Sequence, residues 1–281
     1  SGGGPGPSSP SRRRLTGARE RGASAPRVAA NHMKETIAVW FSCGAASAVA
    51  AKLTLDRYGA THVVRVLNNP VAEEDADNRR FLTDVERWLG VTIEIVTARR
   101  FPSASAVDVW AKARFMSGPL GAPCTVELKK RARQEWEAEN VADWHVLGFT
   151  ADEETRHKRF TLTERANVLP VLIDAGLTKQ DCMDVLAREG IEPPRIYRQG
   201  YPHANCIGCV KATSPTYWNL VRREHPEVFA ARAAQSREIG ARLVRVRNKR
   251  VFLDELTPQD KGRAIKGMDF DCGIFCEEKT A

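Results

Sequence analysis

Residues 36–59, TIAVWFSCGAASAVAAKLTLDRYG, decide the fold. The apolar run IAVWF (37–41) shows no alternation, the pattern of a strand buried on both faces. It ends in the small-residue turn SCGAAS (42–47) and passes into an Ala- and Leu-bearing helix closed by Gly59. Outward from this strand–turn–helix unit, HVVRVL (62–67) predicts a second strand and DADNRRFLTDVERWLG (75–90) an amphipathic helix with a glycine stop. VTIEIV (91–96) predicts a third strand. Strands alternating with helices imply βαβ units, a parallel sheet and right-handed crossovers.

Farther along, a helix is predicted from Thr125 to about Glu139, then the strand WHVLGF (144–149) and a charged loop, ADEETRHKR (151–159). In open α/β sheets ligands sit beyond the carboxyl ends of the strands. SCGAAS and the charged segment both fall at such ends and are expected to face one cleft. TKQDCMDVLAREG (178–190) reads as a helix with Thr178 at its N-cap and Asp181 three residues on. Past Pro193 the sequence reads as irregular and cysteine-rich, with a hairpin within 241–256. The fold class expected is α/β, an open and mostly parallel sheet flanked by helices, with an irregular cysteine-bearing C-terminal extension. The expected divisions are a leader at 1–33, a nucleotide-binding domain at 34–200 and the extension, packed on it, at 201–281.

The net charge of +8 looks at first like that of a nucleic-acid binder. Residues 1–33 hold six arginines against Glu20, so five of those charges lie there. With six glycines, four prolines and no aromatic residue, this stretch lacks the apolar surface to offset the entropy of ordering. It reads as a disordered leader or vector-encoded tag, with His32-Met33 at the junction, ahead of a basic arm or a transit peptide. No apolar run reaches the roughly 20 residues that span a bilayer, so a cytoplasmic protein without membrane contact is expected. In that compartment seven cysteines point to metal-bound or catalytic thiols before structural disulfides.

Three sets of residues carry candidate chemistry. In the turn, Ser42, Cys43, Gly44, Ala45 and Ser47 let backbone N–H groups approach an anion at a helix N-terminus, with two hydroxyls to assist. The Gly-Lys-Ser/Thr ending of a Walker loop is absent. Basic residues follow Cys124 (Lys129, Lys130, Arg131, Arg133) and fill the charged loop (Arg156, His157, Lys158, Arg159); each group reads either as a solvated face or as cover for an anionic ligand. Cys206-x-x-Cys209 and Cys272-x-x-x-Cys276 have spacings that turn two sulfurs to one side, for a metal ion or an iron of a cluster. Cys124 is a further candidate ligand, and Cys182, in line with Leu186, is expected in the core.

Together these motifs resemble the phosphoadenosine phosphosulfate (PAPS) reductase family, within the PP-loop adenine nucleotide alpha hydrolases, and in particular its short phage and prophage members. VWFSCGAASAVAAKL is similar to the PP-loop, GFTADEETR to the later loop that closes over the nucleotide, residues 169–209 to the post-sheet region, and DFDCGIFCE to the C-terminal segment with the catalytic thiol. The resemblance spans about residues 36–278. It implies that Ser42, Gly44 and Ser47 cradle phosphates, that Lys129 and Arg156 neutralise them, and that Cys272 is the nucleophile. It also implies a 4Fe-4S cluster, or zinc, on Cys124, Cys206, Cys209 and Cys276. The substrate implied is an adenine nucleotide, PAPS or ATP. Attack on an adenylyl sulfate would leave an S-sulfo-cysteine for a thiol carrier such as thioredoxin to cleave. A homodimer stays open.

Two departures divide the readings. ATP-splitting PP-loops usually carry two glycines and an aspartate where this chain has Cys43 and Ala46; the missing carboxylate favours a PAPS-like ligand. Cluster-bearing reductases usually show two adjacent cysteines where this chain has Cys124 alone. A three-cysteine cluster is characteristic instead of PP-loop thiolases that insert sulfur into a nucleic-acid base. Reductive cleavage of an adenylyl sulfate leads, ATP-dependent sulfur transfer to nucleic acid follows, and a non-catalytic nucleotide- or metal-binding module comes third.

Overall fold

Strand β1 (Thr36–Phe41) lies at the middle of the molecule because its apolar run offers both faces for burial. Ile37, Val39 and Phe41 point to one side, Ala38 and Trp40 to the other. The computed structural model describes residues 1–2, 34–119 and 121–265. β1 pairs in parallel with β2 (Val63–Asn68) on one edge and β4 (Trp144–Val146) on the other. Outside these lie the short strands β3 (Glu94–Ile95) and β5 (Val168–Leu169), giving the order β3-β2-β1-β4-β5, parallel throughout. The direction of winding reverses between β1 and β4, where the carboxyl ends of the strands leave a crevice.

Helix α1 (Ala45–Tyr58) covers one face of the sheet. Its inward side is Ala45, Ala48, Val49, Ala50 and Ala51, short chains that seat the helix low on the strands. α2 (Asp77–Leu89) brings Phe81 and Val85 to the same core, with Val171 and Leu172 of α6 (Val171–Asp174) and Cys182 and Leu186 of α7 (Lys179–Arg188). On the other face, Ala132 and Trp136 of α4 (Arg131–Glu139) meet Ala38, Trp40 and Leu67. A third core joins Trp110 of α3 (Ala106–Ala113) to residues 196–256, in which α8 (Pro215–Glu224), α9 (Pro226–Ile239) and the β6–β7 hairpin (Val244–Val246, Lys249–Val251) are the regular elements.

The architecture is the α/β class expected, and Cys182 is fully buried against the sheet as expected. Several elements differ from the sequence reading. The charged segment expected as a loop is mostly helix: Thr150 and Glu153 form a capping box, and α5 (Glu154–Thr163) follows. The expected third strand keeps two paired residues at the sheet edge. The helix expected from Thr125 opens with a π-helical segment, Thr125–Lys130, closed by Arg131 N donating to Val126 O. The C-terminal extension holds two helices that the sequence reading left out. Cys272 and Cys276 lie outside the described residues.

Candidate nucleotide and thiol site

The turn after β1 is built from its own small side chains. Cys43 takes the left-handed conformation, φ 55°, which redirects the chain from strand to helix. Ser47 Oγ accepts from Ser42 N at 3.1 Å, meets Ser42 Oγ at 3.2 Å and donates to Gly44 O at 2.9 Å. Ser42 is exposed and Ser47 buried, so one hydroxyl faces the crevice while the other braces it. Two neighbours press on the turn. Tyr197 Oη stands 3.2 Å from where a Cβ on Gly44 would lie and accepts from Ala45 N; burial pushes its phenol up to about 12. Gly148, just beyond β4, has room for no side chain: a Cβ there would meet Ser47 N at 2.9 Å and Ala46 C at 3.2 Å. The turn and the segment after β4 therefore share one crevice.

The Cys43 side chain points inward, not toward a ligand. It is 2% exposed, and Asn68 Nδ2 donates to its Sγ at 3.4 Å. Burial, reinforced by the Glu74 carboxylate, holds this thiol protonated far above the ordinary range, with Lys129 and the Asn68 bond pulling the other way. Lys129, on the π-helical segment, donates to Asn69 O at 3.1 Å and to Glu74 Oε1 at 3.3 Å. Burial raises the Glu74 carboxyl and Lys129 opposes it. Of the basic residues after Cys124, Lys129 is the one tied to the turn's surroundings. Arg131 pairs with Glu127, and Arg133 with Glu137 at 2.6 Å. Arg156 donates to Glu153 Oε1 at 2.6 Å and lies 5.5 Å from the Phe149 ring, on the β4 side. Lys179, outside the sequence reading, sits 6.0 Å from the Tyr197 ring; burial lowers its ammonium, and Glu153 and Asp152 resist.

The segment 71–78, VAEEDADN, belongs to the candidate site but was missed in the sequence, although its four acids follow the end of β2. Glu74 holds Lys129. Glu73, its neighbour, caps α3: its carboxylate accepts from Ser105 Oγ, Ala106 N and Val107 N. Ile207 N donates to Glu73 O at 2.9 Å, and Asn78 Nδ2 donates to both Glu74 Oε2 and Ala204 O. Ile207 lies inside Cys206-Ile-Gly-Cys209. Two adjacent glutamates thus join the turn that faces the crevice to the turn that carries the thiols.

That second turn is closed by Tyr217, whose Oη accepts from Cys209 N at 2.9 Å and donates to Cys206 O at 3.4 Å. Gly208 takes φ 70°, and a Cβ there would crowd Val228 Cγ1 at 3.2 Å. Cys124 packs on the same core as Cys206 and Cys209. Burial lowers the pKa of the Arg232 guanidinium, while Glu73, Cys206, Tyr217 and Cys124 act to raise it. Cys124 and the Cys206–Cys209 turn thus share one core, and Cys124 and Cys206 both lie within electrostatic reach of Arg232. Among the described residues, no three His, Cys, Asp or Glu side chains stand close enough to share one metal ion. A polynuclear cluster, in which each iron takes its own thiolate, asks for a shared neighbourhood and not for convergence on a point.

The fold and this site define an open-sheet α/β protein whose strand ends carry a small-residue turn, a buried Lys–Glu pair and, beside them, three cysteines. No family model matches the sequence, and no curated protein matches it. Among solved structures, the chain is similar to the U34-tRNA thiolase NcsA from Methanococcus maripaludis, solved with its 4Fe-4S cluster. The two share 12% identity over 74% of each chain, with a TM-score of 0.43. No helix among the described residues is long and apolar enough to cross a membrane.

Proposed function

We propose that this protein is an ATP-dependent sulfurtransferase that thiolates a nucleic-acid base, using an iron–sulfur cluster on Cys124, Cys206 and Cys209. The observation that carries this reading is the grouping of Cys124 with the Cys206–Cys209 turn, linked through Glu73 and Glu74 to the turn after β1. A second observation supports ATP as the ligand. Glu74 of the β2 loop, close enough to Cys43 to raise its thiol, stands in this reading for the carboxylate missing from the turn itself. In this reading Glu74 would hold a divalent cation on the nucleotide once Lys129 has turned to the phosphate.

The residues divide the work as follows. The N-terminus of α1 and the Ser42 hydroxyl receive the phosphates. Lys129 exchanges Glu74 for a phosphate oxygen and so takes up part of the charge that develops there. Tyr197 and Gly148 hold the turn in shape. The base oxygen attacks the α-phosphorus and pyrophosphate leaves; sulfide from a sulfur donor then displaces AMP at the activated carbon. Cys124, Cys206 and Cys209 would hold the cluster, which when bound would supply a metal site for the sulfur donor.

The alternative, reductive cleavage of an adenylyl sulfate by Cys272 with a thiol carrier, is favoured by the sequence DFDCGIFCE. One experiment separates the two. Anaerobically reconstituted protein is given ATP, sulfide and mixed transfer RNA, or PAPS with reduced thioredoxin. RNA-dependent pyrophosphate release with thiolated product is expected. Sulfite from the second mixture, with no RNA-dependent release in the first, would overturn the proposal.

A further inference from the structure

α9 carries a cation that the chemistry above does not use. Arg232 is 3% exposed, and its guanidinium stacks 4.3 Å from the Trp110 ring. Nη1 donates to Gln235 Oε1 at 2.9 Å, but Nε is buried with no partner. Removing a guanidinium from water costs several kcal/mol unless charge and hydrogen bonds compensate it, and an unmade bond to a charged donor adds to that cost. Glu73, the carboxylate that acts on it, is already committed to the N-terminus of α3.

The orphan Nε has a definite address. It lies 3.7 Å from the Cβ position of Gly208, between Cys206 and Cys209. Cys206, Tyr217 and Cys124 all act on this guanidinium. A side chain at Gly208 would crowd Val228 and Trp218 and stand beside Nε, so glycine keeps the approach from cation to thiol turn open. A fixed cation on a stacked platform, with one donor unpaired toward a cysteine turn, is the environment that an anionic sulfur centre requires.

We propose that Arg232 is the built-in counter-charge of the thiol centre, holding the negative charge of whatever Cys124, Cys206 and Cys209 ligate and donating Nε–H toward its sulfur. The proposal rests on the cluster reading above. A neighbouring positive charge stabilises the more negative, reduced state, so Arg232 raises the centre's reduction potential and slows its loss.

The test uses the full chain, reconstituted anaerobically with iron and sulfide, as wild type, Arg232→Gln and Arg232→Lys. The readouts are iron retained against a chelator and the midpoint potential from a dye-mediated titration. Arg232→Gln is expected to lower the potential and to weaken iron retention by about tenfold or more. Arg232→Lys, which keeps the charge without the fork, is expected to fall between, and it carries the test if Arg232→Gln does not fold. A folded variant with wild-type potential and retention overturns the role of Arg232 while leaving the cluster reading intact. A wild type that takes up no iron overturns the cluster reading, and this proposal with it.

Discussion

Lys129 and Glu74 show how one buried pair serves two ends. Each side chain is less than 15% exposed, and each is the other's charge partner at 3.3 Å. Removing one member of a buried pair strands the other, whereas removing both is far cheaper. Lys129→Met alone is therefore expected to lose about 3 kcal/mol in urea unfolding. Adding Glu74→Gln is expected to restore most of that stability without restoring nucleotide binding. A double variant no more stable than the single one would show that the pair carries no such strain. Of these two residues the sequence pointed to Lys129, which lies in a basic run and which the family resemblance singled out. Glu74 escaped because its partner is 55 positions away and only the fold brings them together. Arg232 escaped for the same reason: nothing local marks an arginine on a C-terminal helix as belonging to a cysteine turn.

Among the elements, β1, its turn and α1 were legible because each signal is local: an unbroken apolar run, a string of small residues, an Ala-rich helix. The charged segment after β4 misled because its charges resemble those of a loop, while the Thr150–Glu153 capping box and the i,i+4 pair Glu154–Lys158 belong to a helix. α8 and α9, in the stretch expected to be irregular, begin at Pro215 and Pro226, which stand in the first turn, where the missing N–H costs nothing. The packing of β4 against the layer behind it also makes a prediction. His145 is fully buried; Trp40 Nε1 donates to its Nδ1 at 3.2 Å, and Arg165 Nη1, which can only donate, lies 2.7 Å from its Nε2, so both ring nitrogens face donors and the ring has no place for a second proton. Burial, helped by Arg165 and Arg133, lowers this imidazole to about 3, against 6.5 ordinarily. The unfolded chain thus binds the proton first, so the stability tied to His145 is intact above pH 6.5 and drains away as the pH falls toward 3. Thermal unfolding of wild type and His145→Gln between pH 7 and 4 checks this. The wild-type midpoint should drop more steeply, and parallel curves would refute the assignment.

For the whole molecule, the charge that first suggested nucleic acid proves uninformative, since five of the eight net positive charges lie in residues 1–33. The case for a nucleic-acid substrate now rests on the thiol arrangement. Cysteine spacing alone made Cys206 and Cys209 a pair but left Cys124 one candidate among several, because its route to them runs through α3, α8 and α9, which the sequence did not disclose. The central claim is that these three thiols, and not a pair with an unrelated third, hold one iron centre beside the nucleotide turn. Iron content and thiolate-to-iron charge-transfer absorption of anaerobically reconstituted Cys124→Ser, set beside wild type, Cys206→Ser and Cys182→Ser, test it most directly. Full iron and absorption are expected in wild type and Cys182→Ser, with loss of both in Cys124→Ser as in Cys206→Ser; a Cys124→Ser protein that keeps the wild-type iron and spectrum would rule out a three-thiol centre.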